Sequence, residues 1–350
     1  MQSFHIRENQ AGQRLDKFLR KFMPAAGSGF LYKMLRKKNI VLNGKKAEGK
    51  EILAVGDTVS FFFSDETFRL FTGEGKEASA CVPDKTEWYR EAYTALKGIT
   101  IIYEDKNIVI ADKPAGVLTQ RDGSGQYSLN EWLLGYLLAC GGLSQETLKT
   151  FHPSVQNRLD RNTSGIVLCG ASLAGSQMLS ELIRKREIEK YYITIVKGNL
   201  KEAGILSGRL SKDERTNKVR IGEEGRAVRT AYHPLAFGED CTCLAVKLIT
   251  GRPHQIRAHM ASIGHPIMGD VKYGDADFND FCRKKYGVRH QLLHAARIAF
   301  PARIQGFAGL EGSIFTASLP AAFKEVCSHG NMELKRIERF YAGGTDKPDQ

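Results

Sequence analysis

From Ile99 onward the chain alternates short runs rich in β-branched and aromatic residues with stretches of helical apolar period. Runs at 99–103, 108–111, 166–169, 191–196 and 243–249 predict strands; stretches near 129–139, 172–186 and 253–263 predict helices. Such interleaving restricts the fold to one mixed domain over residues 98–328: α+β, with a central sheet flanked by helices and a last strand at 313–317. Residues 329–350, ending Gly343-Gly344-Thr345-Asp346-Lys347-Pro348 before the last two residues, read as a frayed tail.

Residues 1–63 carry a different pattern. Leu15, Phe18, Leu19 and Phe22 follow i, i+3, i+4, i+7 spacing, which predicts an amphipathic helix over 13–22, with Lys17, Arg20 and Lys21 off the stripe and Pro24 as its stop. A second short helix turns Leu31, Met34 and Leu35 inward and leaves Lys33, Arg36, Lys37 and Lys38 on its exposed side and C-terminal end. Ile40-Val41-Leu42-Asn43-Gly44-Lys45 supplies a strand and an Asn-Gly turn, and strands at 52–55 and 58–63 flank Gly56-Asp57. This segment holds 12 Lys/Arg against 5 Asp/Glu, so +7 of the chain's formal +12 is concentrated in it. That asymmetry points to a polyanionic partner, with a merely solvated basic helix face as the plainer alternative. Residues 64–97 are mixed in charge, contain Gly73, Gly75 and Pro83, and read as a linker with one short helix.

Several function classes fall away. The seven cysteines include no CxxC pair, so they read as reduced, packed thiols and not as a disulfide framework or a zinc knuckle. No apolar run approaches the ~18 residues of a membrane span, and the first residues lack the apolar core of a signal peptide, so a cytoplasmic protein is expected. GxxxxGK[ST], HExxH, GxSxG and a G-x-G-x-x-G after a strand are all missing, which removes support for nucleotide-driven and zinc chemistry. His254 and His259 are poorly spaced for shared metal ligation on a helix and read as structural or RNA-contacting. No metal and no cofactor are expected.

The most informative stretch is Asn157-Arg158-Leu159-Asp160-Arg161-Asn162-Thr163-Ser164-Gly165, an acid between two arginines ahead of an apolar strand. A carboxylate so placed sits on a loop held by a sheet, and flanking cations favour its ionised form. Taken alone, the tripeptide fits a structural ion-pair cluster at least as well. A second Arg-Leu-Asp, at 14–16, lies on the first helix without a following strand, so Asp16 is assigned a structural role.

Six segments in order give the pattern its meaning: Tyr103-Glu104-Asp105 leading to Ala111-Asp112-Lys113-Pro114-Ala115-Gly116; the Asp160 run; Lys190-Tyr191-Tyr192; Thr250-Gly251-Arg252-Pro253-His254-Gln255-Ile256-Arg257-Ala258-His259; Gly264-His265-Pro266-Ile267-Met268-Gly269-Asp270; and Leu293-His294-Ala295. Over roughly residues 100–320 this resembles the RluA family of pseudouridine synthases. Residues 12–63 resemble the small α/β RNA-binding module named after the fourth small-subunit ribosomal protein (S4-like), through Arg14-Leu15-Asp16-Lys17-Phe18-Leu19, Val41-Leu42-Asn43-Gly44 and Val55-Gly56-Asp57.

The resemblance implies the pseudouridine synthase fold with a mixed, mainly antiparallel sheet. It makes Asp160 the essential aspartate, Tyr192 the active-site tyrosine, and Arg257 the arginine that pairs with the aspartate. Alternation along 191–196 agrees, since it puts Tyr192 on the face opposite Tyr191. Pro253 is expected at the first position of a helix whose buried stripe is Ile256, Met260 and Ile263, with Arg257 beside it, gripping the carboxylate bidentately. Asn157 departs from the histidine usual in the family, a change expected to spare activity. The expected RNA contacts are Arg14, Lys17, Lys33, Arg36, Lys37 and Lys38 in the module and Arg158, Arg161, Arg252 and His254 around the site. The implied substrate is structured RNA, large-subunit ribosomal RNA ahead of transfer RNA, bound by a monomer. A non-catalytic RNA-binding or ribosome-assembly factor and a glycosidase-like hydrolase are the competing readings. Residues 121–152 align with no motif.

Overall fold

The computed structural model describes residues 1–72, 85–213 and 218–341. The N-terminal module is a four-stranded antiparallel sheet against the two expected helices, Leu15–Phe22 and Ser28–Arg36, whose apolar stripes are buried as the periodicity required. Asn43 and Gly44 take left-handed φ values of 51° and 73°, joining Ile40–Leu42 to Lys45–Lys46 through the tight turn that Asn-Gly favours. Three details differ from expectation. Gln2–His5 is an edge strand on Thr58–Phe61, too short and polar to announce itself. Residues 52–55 make no ladder strand, only a bridge from Ile52 to Arg14. Helix Asp65–Thr72 buries Phe68 in the module's core and sets Phe71 4.4 Å from Phe30, so the module extends to residue 72 and not 63.

The larger sheet runs edge to edge as Lys218–Gly222, Gly204–Asp213, Arg226–Phe237, Cys241–Leu248, Glu189–Lys197, Leu293–Ala299, Ser164–Gly170, Ile108–Lys113 and Thr100–Glu104. Every neighbouring pair on that path is antiparallel except Leu293–Ala299 with Ser164–Gly170, which gives the mixed, mainly antiparallel sheet that the motifs implied. On one face Tyr192, Val246 and Val167 pack with helix Leu129–Ala139; on the other Tyr191, Ile193 and Ala245 pack with the C-terminal helices.

Two boundaries move. Within the expected linker, Lys85–Ala95 is a helix pressed so closely on Leu129–Ala139 that a Cβ at Gly135 would lie 2.0 Å from the Tyr89 carbonyl oxygen. It therefore belongs to the catalytic domain, while 73–84 lie outside the described residues. The expected tail carries helix Leu334–Tyr341, which buries Ile337 and Phe340 and receives a 3.0 Å hydrogen bond on the Phe340 carbonyl from the buried Arg297. Residues 342–350 again lie outside the described residues. Among the described residues no helix is long and apolar enough to cross a membrane.

Candidate active site

Asp160 stands on the loop that leads into Ser164–Gly170, and its backbone is fixed from both sides by the segment after Ile108–Lys113. The Thr119 hydroxyl donates to the Leu159 carbonyl at 2.8 Å and accepts from the Leu159 amide at 3.1 Å. Beyond Asp160, the Arg161 carbonyl accepts from the Gly116 amide at 2.9 Å and from the Lys113 ammonium at 3.0 Å. Lys113 is fully buried, and its other two bonds go to the Pro114 and Val117 carbonyls at 2.9 and 2.8 Å. Burial lowers the Lys113 pKa to about 7, against the Asp160 and Asp112 charges, which favour the ammonium. Two motifs far apart in sequence thus lock one loop.

The cation facing Asp160 is not one of its sequence neighbours. Arg158 and Arg161 are exposed, and Arg161 reaches away to Gln126 at 2.8 Å and Asp122 at 3.5 Å. The partner is Arg257, whose Nη1 donates to Asp160 Oδ2 at 2.8 Å. Its remaining donors, Nε and Nη2, grip Asp270 at 2.7 and 2.8 Å. The bidentate contact expected on Asp160 therefore falls on Asp270, whose Oδ1 also accepts from the Lys272 and Tyr273 amides at 2.9 and 3.0 Å. Burial works against the Arg257 charge, but the two carboxylates raise its pKa. Asp270 shows the same balance with opposite sign: burial raises its pKa, the Arg257 bonds and charge and the backbone amides outweigh it, and the carboxyl ends below its ordinary value.

The helix carrying Arg257 starts two residues later than expected, at Gln255, because His254 takes a left-handed φ of 55°. Gln255 anchors that end by donating to the Arg229 carbonyl and the Thr230 hydroxyl, both at 2.9 Å, and His259, one turn on, meets the same hydroxyl at 2.8 Å. Ile256 and Met260 enter the core, which leaves Arg257 aimed at the loop. His259 is structural; His254 is not simply so, since its ring lines the cleft with Nε2 3.8 Å from Asp160.

Asp160, Arg257 and His254 line a cleft of about 720 Å³ with Tyr192, Leu248, Arg158 and Arg252 on its walls. Tyr192 is nearly buried; burial first, then the Asp160 charge, raises its phenol above the ordinary value of 10.0, so it stays protonated and offers a flat ring or a hydroxyl. Asn157 uses its amide to pair with the strand behind the loop, accepting from the Leu168 amide at 2.6 Å and donating to the Ile166 carbonyl at 3.3 Å. Of the unplaced stretch 121–152, Asp122 lines the cleft and Gln126 holds Arg161. In the N-terminal module Lys17, Lys33, Arg36, Lys37 and Lys38 are exposed, whereas Arg14 is engaged by the buried Asp16, with bonds of 3.0 and 3.2 Å. Lys113, Thr119, Asp270 and Tyr273 had been given no role, although Lys113 and Asp270 lie inside motifs already recognised.

Comparison with known proteins agrees with this geometry. The profile of the RNA pseudouridylate synthase family matches residues 107–262. The ribosomal large subunit pseudouridine synthase C of Vibrio cholerae is 30% identical over 306 residues, covering 86% of this chain and 89% of its own. The protein of that name from Escherichia coli is 29% identical over 307 residues, covering 84% and 87%. The solved structure of human RNA pseudouridylate synthase domain containing 4 shares the fold, with a TM-score of 0.56 at 23% identity over 71% of this chain and 98% of that one. With this identity running nearly the length of the chain, the protein belongs to the pseudouridine synthases of the RluA family.

Proposed function

We propose that this protein isomerises particular uridines of large-subunit ribosomal RNA to pseudouridine in the Asp160 cleft. The observation that carries the reading is a carboxylate fixed on a doubly strapped loop, held by Arg257 and facing a buried Tyr192 in one cleft. Glycosidic cleavage builds positive character at the sugar, and a fixed carboxylate answers it by stabilisation or attack. Arg257 holds the carboxylate's rotamer, and Tyr192 stacks on the base. The target must leave its helical stack to reach this depth. The relatives' names support the ribosomal target, and the basic N-terminal module supports an RNA partner through phosphate contacts that position without specifying. The same reading makes the protein a cytoplasmic monomer.

The test is an incubation with unmodified transcripts of large-subunit ribosomal RNA and of transfer RNA, followed by digestion to nucleosides. Pseudouridine in the ribosomal transcript is expected. Free uracil marks a hydrolase, unchanged uridine a non-catalytic factor, and pseudouridine confined to transfer RNA moves the target. Asp160→Asn should abolish turnover while RNA binding stays within about threefold, since the change removes a charge that phosphates do not seek.

A further inference from the structure

His254 carries a donor that none of the interactions described so far uses. Its Nδ1 lies 2.8 Å from the Tyr273 hydroxyl, and that hydroxyl already accepts the Val219 amide hydrogen at 2.9 Å. Tyr273 is a neutral phenol, with its pKa raised by burial, so its single proton points to the remaining neighbour, Nδ1. Nδ1 is then an acceptor and the ring's own hydrogen sits on Nε2. Burial lowers the His254 pKa; the Asp160 and Asp270 charges pull it up, and the Arg257 and Lys272 charges push it down again, so the ring is held neutral. Nε2 faces the cleft 3.8 Å from Asp160 Oδ1, beyond hydrogen-bond distance, while Oδ2 of the same carboxylate is taken by Arg257. Among the described residues, therefore, an N–H and a carboxylate oxygen without a hydrogen-bond partner stand side by side. The left-handed backbone at His254 is what brings the ring there, a conformation uncommon for a residue with a Cβ and concentrated at functional sites.

We propose that His254 is a catalytic hydrogen-bond donor whose Nε2–H, oriented by Tyr273, holds the uracil carbonyl next to the glycosidic nitrogen as that bond opens. The inference rests on the Asp160 cleft being the uridine site. When the bond from the sugar carbon to the ring nitrogen breaks, its electron pair goes to the nitrogen and spreads onto the adjacent carbonyl oxygen. Asp160 faces the electron-poor sugar and His254 the electron-rich base. No proton leaves His254. After the ring turns and its C5 bonds to the sugar carbon, the C5 proton is lost and the former glycosidic nitrogen gains one, so the product is an isomer and the histidine is unchanged. A donor aimed at charge that exists only during bond breaking accelerates the step without tightening ground-state binding.

Single-turnover kinetics on an unmodified large-subunit ribosomal RNA transcript test this. His254→Ala should lower the rate constant by about 10²–10³-fold with KM changed less than about threefold, the size of effect known for one such donor. His254→Gln, which returns an amide N–H near the Nε2 position, should recover at least about tenfold of that loss. With 5-fluorouridine at the target, the departing base is a weaker base and needs the donor less, so the Ala penalty on uridine consumption should shrink about tenfold or more. Tyr273→Phe should slow the reaction less than His254→Ala and add nothing to it in the double variant. An Ala penalty equal on both RNAs, or one confined to KM, overturns the proposal and returns His254 to the RNA contacts. Should His254→Ala fail to fold, the Gln and Phe variants carry the same comparison. Loss of turnover in Asp160→Asn tests the underlying site assignment; His254→Ala matching wild type overturns this inference alone.

Discussion

Asp270 lies behind the cleft, outside its lining. It is fully buried and takes two of Arg257's donors, so the guanidinium presents only Nη1 to Asp160, in one orientation. Asp270→Asn keeps the shape but leaves a buried cation under-compensated, which should reduce stability by about 3 kcal/mol in urea unfolding and slow turnover more than tenfold. Its pH signature has a definite sign. The folded carboxyl titrates below its ordinary value of 3.8, so its stabilisation is present above that value and is lost as the pH falls through the lower folded pKa. Wild type and Asp270→Asn should converge in stability only in strong acid; a constant gap down to pH 2 would contradict the ion pair as its source. Arg257→Lys should be nearly as damaging, because an ammonium cannot serve two carboxylates with a fixed fork. Asp160, Tyr192 and Arg257 were singled out by the family resemblance, with alternation agreeing for Tyr192, and they meet at one cleft, but the direction of the fork was not legible. Thirteen residues separate Arg257 from Asp270 in sequence, and nothing in either motif says which carboxylate receives two bonds and which receives one.

At the scale of elements, the Asp160 loop leads into the one parallel pairing of strands among the described residues, between Leu293–Ala299 and Ser164–Gly170. Gly165 has a φ of 108°, and a Cβ there would approach the Ala295 carbonyl oxygen to 2.3 Å, against backbone that cannot yield. Gly165→Ala should therefore cost roughly 3 kcal/mol and shift the Asp160 loop, read as a lower thermal midpoint and lost activity. Beside it His294 is buried, with Nδ1 2.9 Å from the Ser164 hydroxyl, and burial depresses its pKa to about 4. A folded value below the ordinary 6.5 means that the neutral ring's contribution is complete above pH 6.5 and declines as the pH falls toward 4. That decline amounts to ~3 kcal/mol, and His294→Asn, which keeps a side-chain partner for Ser164 but does not titrate, should flatten it. His254 and His259 are also held low, so the comparison of variant with wild type is the measurement, not the wild-type curve alone. A long apolar run was legible: Leu129–Ala139, buried nearly all round, falls where it was expected. The ribbon of Gly204–Asp213, Lys218–Gly222 and Arg226–Phe237 was not: its exposed Arg209, Arg220 and Arg229 alternate with buried Leu210, Val219 and Val228, but glycines at 204 and 208 leave too few β-branched or aromatic residues to stand out as a run.

For the molecule as a whole, charge and chemistry are divided between two bodies that touch. Gln10 donates to the Thr150 hydroxyl at 2.8 Å, and Gln177 donates to the Gly12 carbonyl at 2.9 Å, joining the module to the catalytic domain. The basic character of residues 1–63 was plain from composition, whereas this docking was not, since two amide hydrogen bonds leave no periodic or motif trace. Within the module Arg14 answers Asp16, which Tyr32 also binds at 2.9 Å, so of the RNA contacts expected there Lys17, Lys33, Arg36, Lys37 and Lys38 remain exposed, the last four along helix Ser28–Arg36 and its end. Arg36, Lys37 and Lys38 are all exposed there. If each meets one phosphate, replacing the three by Gln should reduce the slope of log affinity against log salt by about 2 to 3, since each contact releases close to one counterion. Turnover at saturating RNA should stay near wild type, because the cleft is untouched. Asp160→Asn should do the reverse, keeping the salt slope and losing turnover. Measuring both variants over the same salt series separates the bodies: a triple variant that loses turnover at saturation, or keeps its slope, would show that these cations do not hold the RNA for a reaction performed elsewhere.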